Sequence, residues 1–172
     1  TNTIVQTVRR RRFFDPLAQS FTTDESGAFV TAVDIFLGSK DPEQKLIVEL
    51  RTMELGLPTN TLVQDYSRVV VNPNDINIST NAEIPTRVKF PSPVYLAPNQ
   101  AYCFVLLSAS NEYNVWISRM GEVDVSTLDK AESEQIIVAQ QPLLGSLFKS
   151  QNGASWDPSQ LEDLKFNMYR AN

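Results

Sequence analysis

GAFVTAVDIFL, from Gly27 to Leu37, sets Thr31, Val33, Ile35 and Leu37 on one face and Ala32 and Asp34 on the other. Successive side chains of a pleated strand point to opposite sides, so this period of two predicts a strand with one wet face. KLIVELRT, residues 45–52, repeats the pattern with Leu46, Val48 and Leu50 inward and Glu49 and Arg51 outward. Thr86 to Phe90 sets Val88 and Phe90 against Arg87 and Lys89. AYCFVLLS, Ala101 to Ser108, differs because both of its faces are apolar: Tyr102, Phe104 and Leu106 on one, Cys103, Val105 and Leu107 on the other. That composition predicts a central strand covered on both sides. Asn114–Ser118, Gln135–Ala139 and Leu164–Tyr169 supply further strands, the last with Leu164, Phe166 and Met168 facing in.

The punctuation between these runs is Asp41-Pro42, Leu57-Pro58-Thr59-Asn60, Asn72-Pro73-Asn74-Asp75, Pro91-Ser92-Pro93 and Pro98-Asn99. Proline fixes φ and offers no N–H, so these positions read as turns or strand edges. Ten prolines spread so evenly leave room only for short helices, at Ser126–Glu134 and in a turn beginning at Pro158. Short strands at about 8–12-residue spacing with turn signals between them predict an all-β fold. The expected architecture is a two-layer antiparallel β-sandwich of jelly-roll type with about eight or more strands.

The chain has 172 residues, 42% of them apolar, which suits one globular domain with a sizeable core and a short arm. Residues 1–14 are expected to be an arm or linker from a longer chain, and residues 15–172 the sandwich. Arg9 to Arg12 hold four of the fifteen positive charges; the remaining eleven face twenty carboxylates, leaving −9. An acidic domain with a basic strap argues against a nucleic-acid scaffold, which needs a basic face. No apolar run approaches the roughly 20 residues of a membrane-spanning helix.

The absence of histidine excludes Ser-His-Asp and Cys-His catalysis and His-ligated metal sites, and the single Cys103 excludes an internal disulfide or a zinc cluster. Paired carboxylates remain, with Asp34, Glu49, Asp157 and Asp163 as candidates, but each is expected at an outward strand position or in a turn where solvated acids are ordinary. Asn72–Asn77 is rich in oxygen ligands yet lacks the glycine and terminal glutamate of an EF-hand loop, and Asn and Asp are standard turn formers. A turn is the preferred reading there. Tyr113, Trp116 and Trp156 are candidate platforms for stacking on sugar rings, although aromatics serve equally as interface or core residues. Arg9 and Arg11 would point one way along a strand and Arg10 and Arg12 the other. The run therefore makes no single anionic patch, and with Phe13-Phe14 it suits a segment that docks on a partner or on its own domain.

DPLAQSFTTDESGAFVTAVDIFL from Asp15, VNPNDINIS, FPSPVYLAPNQAYCFVLLS and QPLLGSLFKSQNGASWDPSQLEDLKFNMYRA together resemble a recurrent β-sandwich domain. It is found in the baseplate wedge and related virion proteins of T-even-type contractile-tailed phages. The resemblance runs from about Arg9 to Ala171 and is most specific at Asp15–Phe21 and Leu144–Asn152. It implies a non-enzymatic structural module of a virion tail baseplate, assembled in the host cytoplasm with other wedge proteins and the remainder of its parent chain. It implies no catalytic residue, metal or cofactor. A weaker likeness to jelly-roll domains of bacterial surface proteins supports the alternative, a carbohydrate-binding module for host glycans. The expected partner contacts are Arg9, Arg10, Arg11, Arg12, Phe13 and Phe14 on the arm, and Asn74 and Asp75 in the proline turn. Lys149, Gln151, Asn152 and Trp156 are expected to add a contact near the C-terminal end.

Overall fold

A computed structural model describes residues 9–12, 15–119, 145–152, 155–159 and 162–171. Its strands are β1 (Arg9–Arg12), β2 (Leu17–Thr22), β3 (Ala28–Ile35), β4 (Leu37–Ser39), β5 (Leu46–Glu54), β6 (Leu57–Leu62) and β7 (Arg68–Val71). After a 3-10 turn at Pro73–Asp75 follow β8 (Thr86–Leu96), β9 (Ala101–Ser108), β10 (Asn114–Arg119), β11 (Leu147–Lys149), β12 (Asp157–Ser159), β13 (Glu162–Leu164) and β14 (Phe166–Arg170). There is no α-helix among the described residues. The helix expected at Ser126–Glu134 and the strand expected at Gln135–Ala139 lie outside them.

The pairings between strands are antiparallel. One layer is a seven-stranded sheet in the order β12-β11-β2-β9-β5-β6, with β7 also on β5. The facing layer is built from a three-stranded sheet, β14-β3-β8, and a four-stranded sheet in which β10 carries β1 on one side and β13 and β4 on the other. The chain passes from one small sheet to the other twice, across Phe36 between β3 and β4 and across Lys165 between β13 and β14. Trp116 ties both crossings: its N–H donates to the Phe36 carbonyl at 2.9 Å, and its carbonyl accepts from the Lys165 N–H at 3.0 Å. The result is an all-β sandwich.

Alternation explains the core. Leu46, Val48 and Leu50 of β5, Val33 and Ile35 of β3, Val88 and Phe90 of β8, and Leu164 of β13 all lie in one buried cluster between the layers. As its two-sided composition requires, β9 is central, held by β2 and β5. Tyr102, Phe104 and Leu106 enter the main core, while Cys103 and Val105 join Ala18, Phe148 and Trp156 in a second cluster on the opposite side of the sheet.

Three expectations are corrected. Pro91-Ser92-Pro93 is not a connection but part of β8. The ladder pairs Val30 with Val94 and Ala32 with Lys89, so the prolines occupy an unpaired excursion of an edge strand, where no N–H is needed. Leu57–Asn60 forms most of β6, whose position at a sheet edge tolerates Pro58. Pro158 lies in the short strand β12 rather than opening a helical turn. Arg9–Arg12, expected within an arm that docks on a partner or on its own domain, pairs with β10 in the register Arg9↔Ile117 to Arg12↔Asn114. The bulge opposite the prolines also drops Thr31 from the ladder, so Val30 is buried and Phe29 turns outward.

Candidate functional site

The basic run is the edge strand of its sheet, bound by the main-chain ladder to β10. Phe13 and Phe14 lie outside the described residues. Asn74 and Asp75 are exposed in the Pro73–Asp75 turn. The Lys40 Nζ donates to the carbonyls of Pro73 at 2.7 Å and Ile76 at 2.8 Å, so an ammonium already engages the oxygens that a cation would seek there.

In the C-terminal loop, the Lys149 Nζ donates to Glu162 Oε1 at 3.0 Å, whereas Gln151 and Asn152 are exposed. The Asn152 Oδ1 accepts from the Ser155 N–H at 2.8 Å, which gives the loop its turn. Trp156 is buried in the second cluster against Ala18, Cys103, Val105 and Phe148, so its indole offers no face to a ligand. Its Nε1 has no hydrogen-bond partner among the described residues. Tyr113 and Trp116 are buried too: the Tyr113 hydroxyl donates to the Gln44 carbonyl, and the Trp116 Nε1 donates to the Ser79 carbonyl at 3.1 Å. These three rings are core and seam residues rather than platforms.

The rings that do face solvent are Phe29, Tyr95 and Tyr169, 50%, 47% and 36% exposed, on the outer side of β3, β8 and β14. Phe29 and Tyr95 are cross-strand partners with ring centroids 5.1 Å apart. The Arg87 guanidinium lies 4.0 Å from the Tyr169 ring centroid. It also donates to both oxygens of Asp34, at 2.9 and 3.2 Å, and the Tyr169 hydroxyl donates to Asp34 Oδ2 at 2.7 Å. Burial pushes the Asp34 carboxyl up, but the hydrogen bonds from Arg87 and Tyr169 and the Arg87 charge outweigh it and hold it below the ordinary value. The carboxylate is therefore an anchor for two aromatic-face side chains. Sequence reading missed Phe29 because uninterrupted alternation with Val33 points it inward; only the bulge reverses it.

The candidate acids are not solvated, apart from Asp157. Asp34, Glu49 and Asp163 are each less than one-tenth exposed, because neighbouring cations or amides cover them. Glu49 Oε1 accepts from Arg51 Nε at 3.1 Å and from a second Arg51 nitrogen at 2.6 Å, with Arg68 3.6 Å from the other oxygen. Asp163 Oδ1 accepts from Gln19 Nε2 at 2.9 Å, and Oδ2 has no hydrogen-bond partner among the described residues. Burial lifts this carboxyl to about 7 against the lowering effect of the Gln19 hydrogen bond. Asp34, Glu49 and Asp163 thus have separate structural neighbours and do not converge on one cleft.

A cleft of about 460 Å³ is lined by residues of β2, β3, β8, β13 and β14 and of the turn between β2 and β3. Phe21, Leu96, Leu164, Phe166 and Met168 make it apolar, and Thr23, Asp24, Asn167 and Arg170 contribute polar groups. Arg170 and Asp24 stand 3.7 Å apart and are each more than half exposed. Such a cleft can accept an apolar group and orient it with polar contacts, but its lining holds no assembled acid–base pair. The class defined by this fold is an all-β sandwich. No family model, curated protein or solved structure matches the chain.

Proposed function

We propose that this chain is a non-enzymatic structural and interaction module of a phage tail baseplate wedge, holding neighbouring subunits in place. The observation that supports the reading is the basic edge strand Arg9–Arg12, laddered onto β10 of an otherwise acidic domain. The ladder to β10 holds this strand on its domain. The positive strand favours an acidic neighbour and accelerates its encounter. The sequence resemblance supplies the wedge as the setting.

Co-expression with the wedge subunits of the same phage tests this reading. Co-purification that weakens when Arg9 to Arg12 are changed to glutamine supports it. Equal recovery without the four charges overturns the role of the strand, and failure to associate with any wedge subunit overturns the setting.

Carbohydrate binding is the second reading, favoured by the exposed Phe29, Tyr95 and Tyr169 rather than by the three buried rings expected from sequence. A glycan array read with the wild type and Tyr95→Ala separates the two. Glycan binding lost in Tyr95→Ala supports the second reading; an array without binding removes it.

A further inference from the structure

Leu55 is 96% exposed at the tip of the β5–β6 hairpin, and Leu57 beside it is 43% exposed. Glu54 pairs with Leu57, so Leu55-Gly56 is a two-residue turn, and its φ values of 52° and 78° are those of a type I′ turn. That turn favours Asn-Gly, since a leucine in the left-handed region sets its Cβ against the backbone without a compensating hydrogen bond. The sequence thus holds a large apolar side chain in strain at the point where solvent exposure is greatest. Neither stability nor solubility accounts for it. Residues held in sparsely populated backbone regions cluster at functional surfaces.

The same end of the molecule carries the complement. Thr52 of β5 lies opposite Tyr102 of β9, and Tyr102 lies opposite Phe21 of β2, so the hairpin tip and the cleft wall Phe21–Thr23 leave the sheet in the same direction. Two strand spacings, about 10 Å, separate β5 from β2 within the sheet. Exchange of tip and cleft about a two-fold axis is the reciprocal arrangement that closes a dimer. The cleft of about 460 Å³ is large enough for the leucine side chain and is apolar at Phe21, Phe166 and Met168. Its exposed Arg170, 3.7 Å from the equally exposed Asp24, carries the charge opposite to that of the exposed Glu54 next to the knob.

We propose that the Leu55 tip docks in the Phe21–Phe166–Met168 cleft of a second copy of this chain, forming a reciprocal end-to-end dimer steadied by Glu54 and Arg170. The contact is small beside a standard protein interface, so association is concentration-dependent. This proposal is independent of the wedge assignment.

Sedimentation of the full chain over roughly 10 μM to 1 mM tests it. The wild type is expected to rise from one copy toward two, and Leu55→Asn to weaken self-association at least tenfold while its melting temperature holds or rises by about 2–4 °C. Glu54→Arg and Arg170→Glu are each expected to weaken the dimer, and the double variant to restore it. A wild type that stays single throughout, growth past two copies, a Leu55→Asn protein that associates like the wild type, or a double exchange without rescue overturns the proposal. Phosphatidylcholine vesicles supply the remaining arm. Wild-type binding to them that Leu55→Asn abolishes, with no self-association, would assign the leucine to a lipid surface and overturn the second copy as its occupant.

Discussion

Asp163 and Asp34 are both buried carboxyls, and their surroundings push them in opposite directions. Burial lifts Asp163 to about 7, with Gln19 Nε2 as its hydrogen-bond donor. The folded protein therefore binds a proton there more tightly than the unfolded chain, so the favourable contribution is present below the ordinary pKa and is lost as pH rises toward 7. Asp163→Asn keeps an amide oxygen for Gln19 and cannot ionise. The variant is expected to gain on the wild type progressively from pH 4 to pH 8, reaching on the order of a few kcal/mol, as measured by urea unfolding. A difference independent of pH would refute the buried ionisation. Asp34 has the reverse sign: its carboxyl is held below the ordinary value, so its contribution is present above that value and lost as pH falls through the folded one. Asp34→Asn should narrow the gap between neutral and acid stability, whereas Asp163→Asn widens it. Neither behaviour was legible in sequence, because alternation places both residues on outward positions and is silent about which side chains cover them.

At the scale of the element, what sequence conveyed best was the two-sided strand, and what it lost was parity across a bulge. β9 reads correctly because its apolar character does not depend on which side faces the core. Phe104 is fully buried, packs edge-on to Phe166 with centroids 4.8 Å apart, and sits between β2 and β5. Phe104→Ala is expected to cost about 3–5 kcal/mol in equilibrium unfolding, since the strands on either side are tied by ladders and cannot collapse into the space. β3 shows the opposite case: the excursion at Pro91–Pro93 shifts its register, and the exposed ring pair Phe29–Tyr95 results. Backbone crowding was equally invisible. Gly145 lies so close to β2 that an added Cβ would stand 2.0 Å from the Ser20 carbonyl oxygen. Gly145→Ala must therefore separate Ser146 from Ser20, breaking the 3.0 Å bond between the Ser20 N–H and the Ser146 carbonyl beside the β2–β11 pairing. The expected readout is loss of amide-exchange protection at Ser20 before any loss at β9.

Taken whole, the sandwich has one apolar cluster on each side of β9, besides a small third at the seam, and the question is whether the first two melt together. Cys103 is the internal reporter, fully buried in the smaller cluster with its thiol pushed up to about 12, mainly by burial. A thiol so held does not react until the strand is opened, because the thiolate is the nucleophile. Trp156 lies in that same cluster, whereas Trp116 lies at the seam of the facing layer, packed with Phe36 and Ala82. Since β9 donates Phe104 to one cluster and Cys103 to the other, neither cluster can disperse without disturbing the strand that supports its counterpart. Cys103 labelling is therefore expected to track global unfolding. Its opening free energy and denaturant slope should equal those from tryptophan fluorescence, measured separately in Trp116→Phe and Trp156→Phe proteins. Labelling at denaturant concentrations where Trp116 fluorescence is still native would show the outer cluster opening alone. Coincident transitions would fit a stiff block that transmits force between neighbours, which is the mechanical property the proposed role demands.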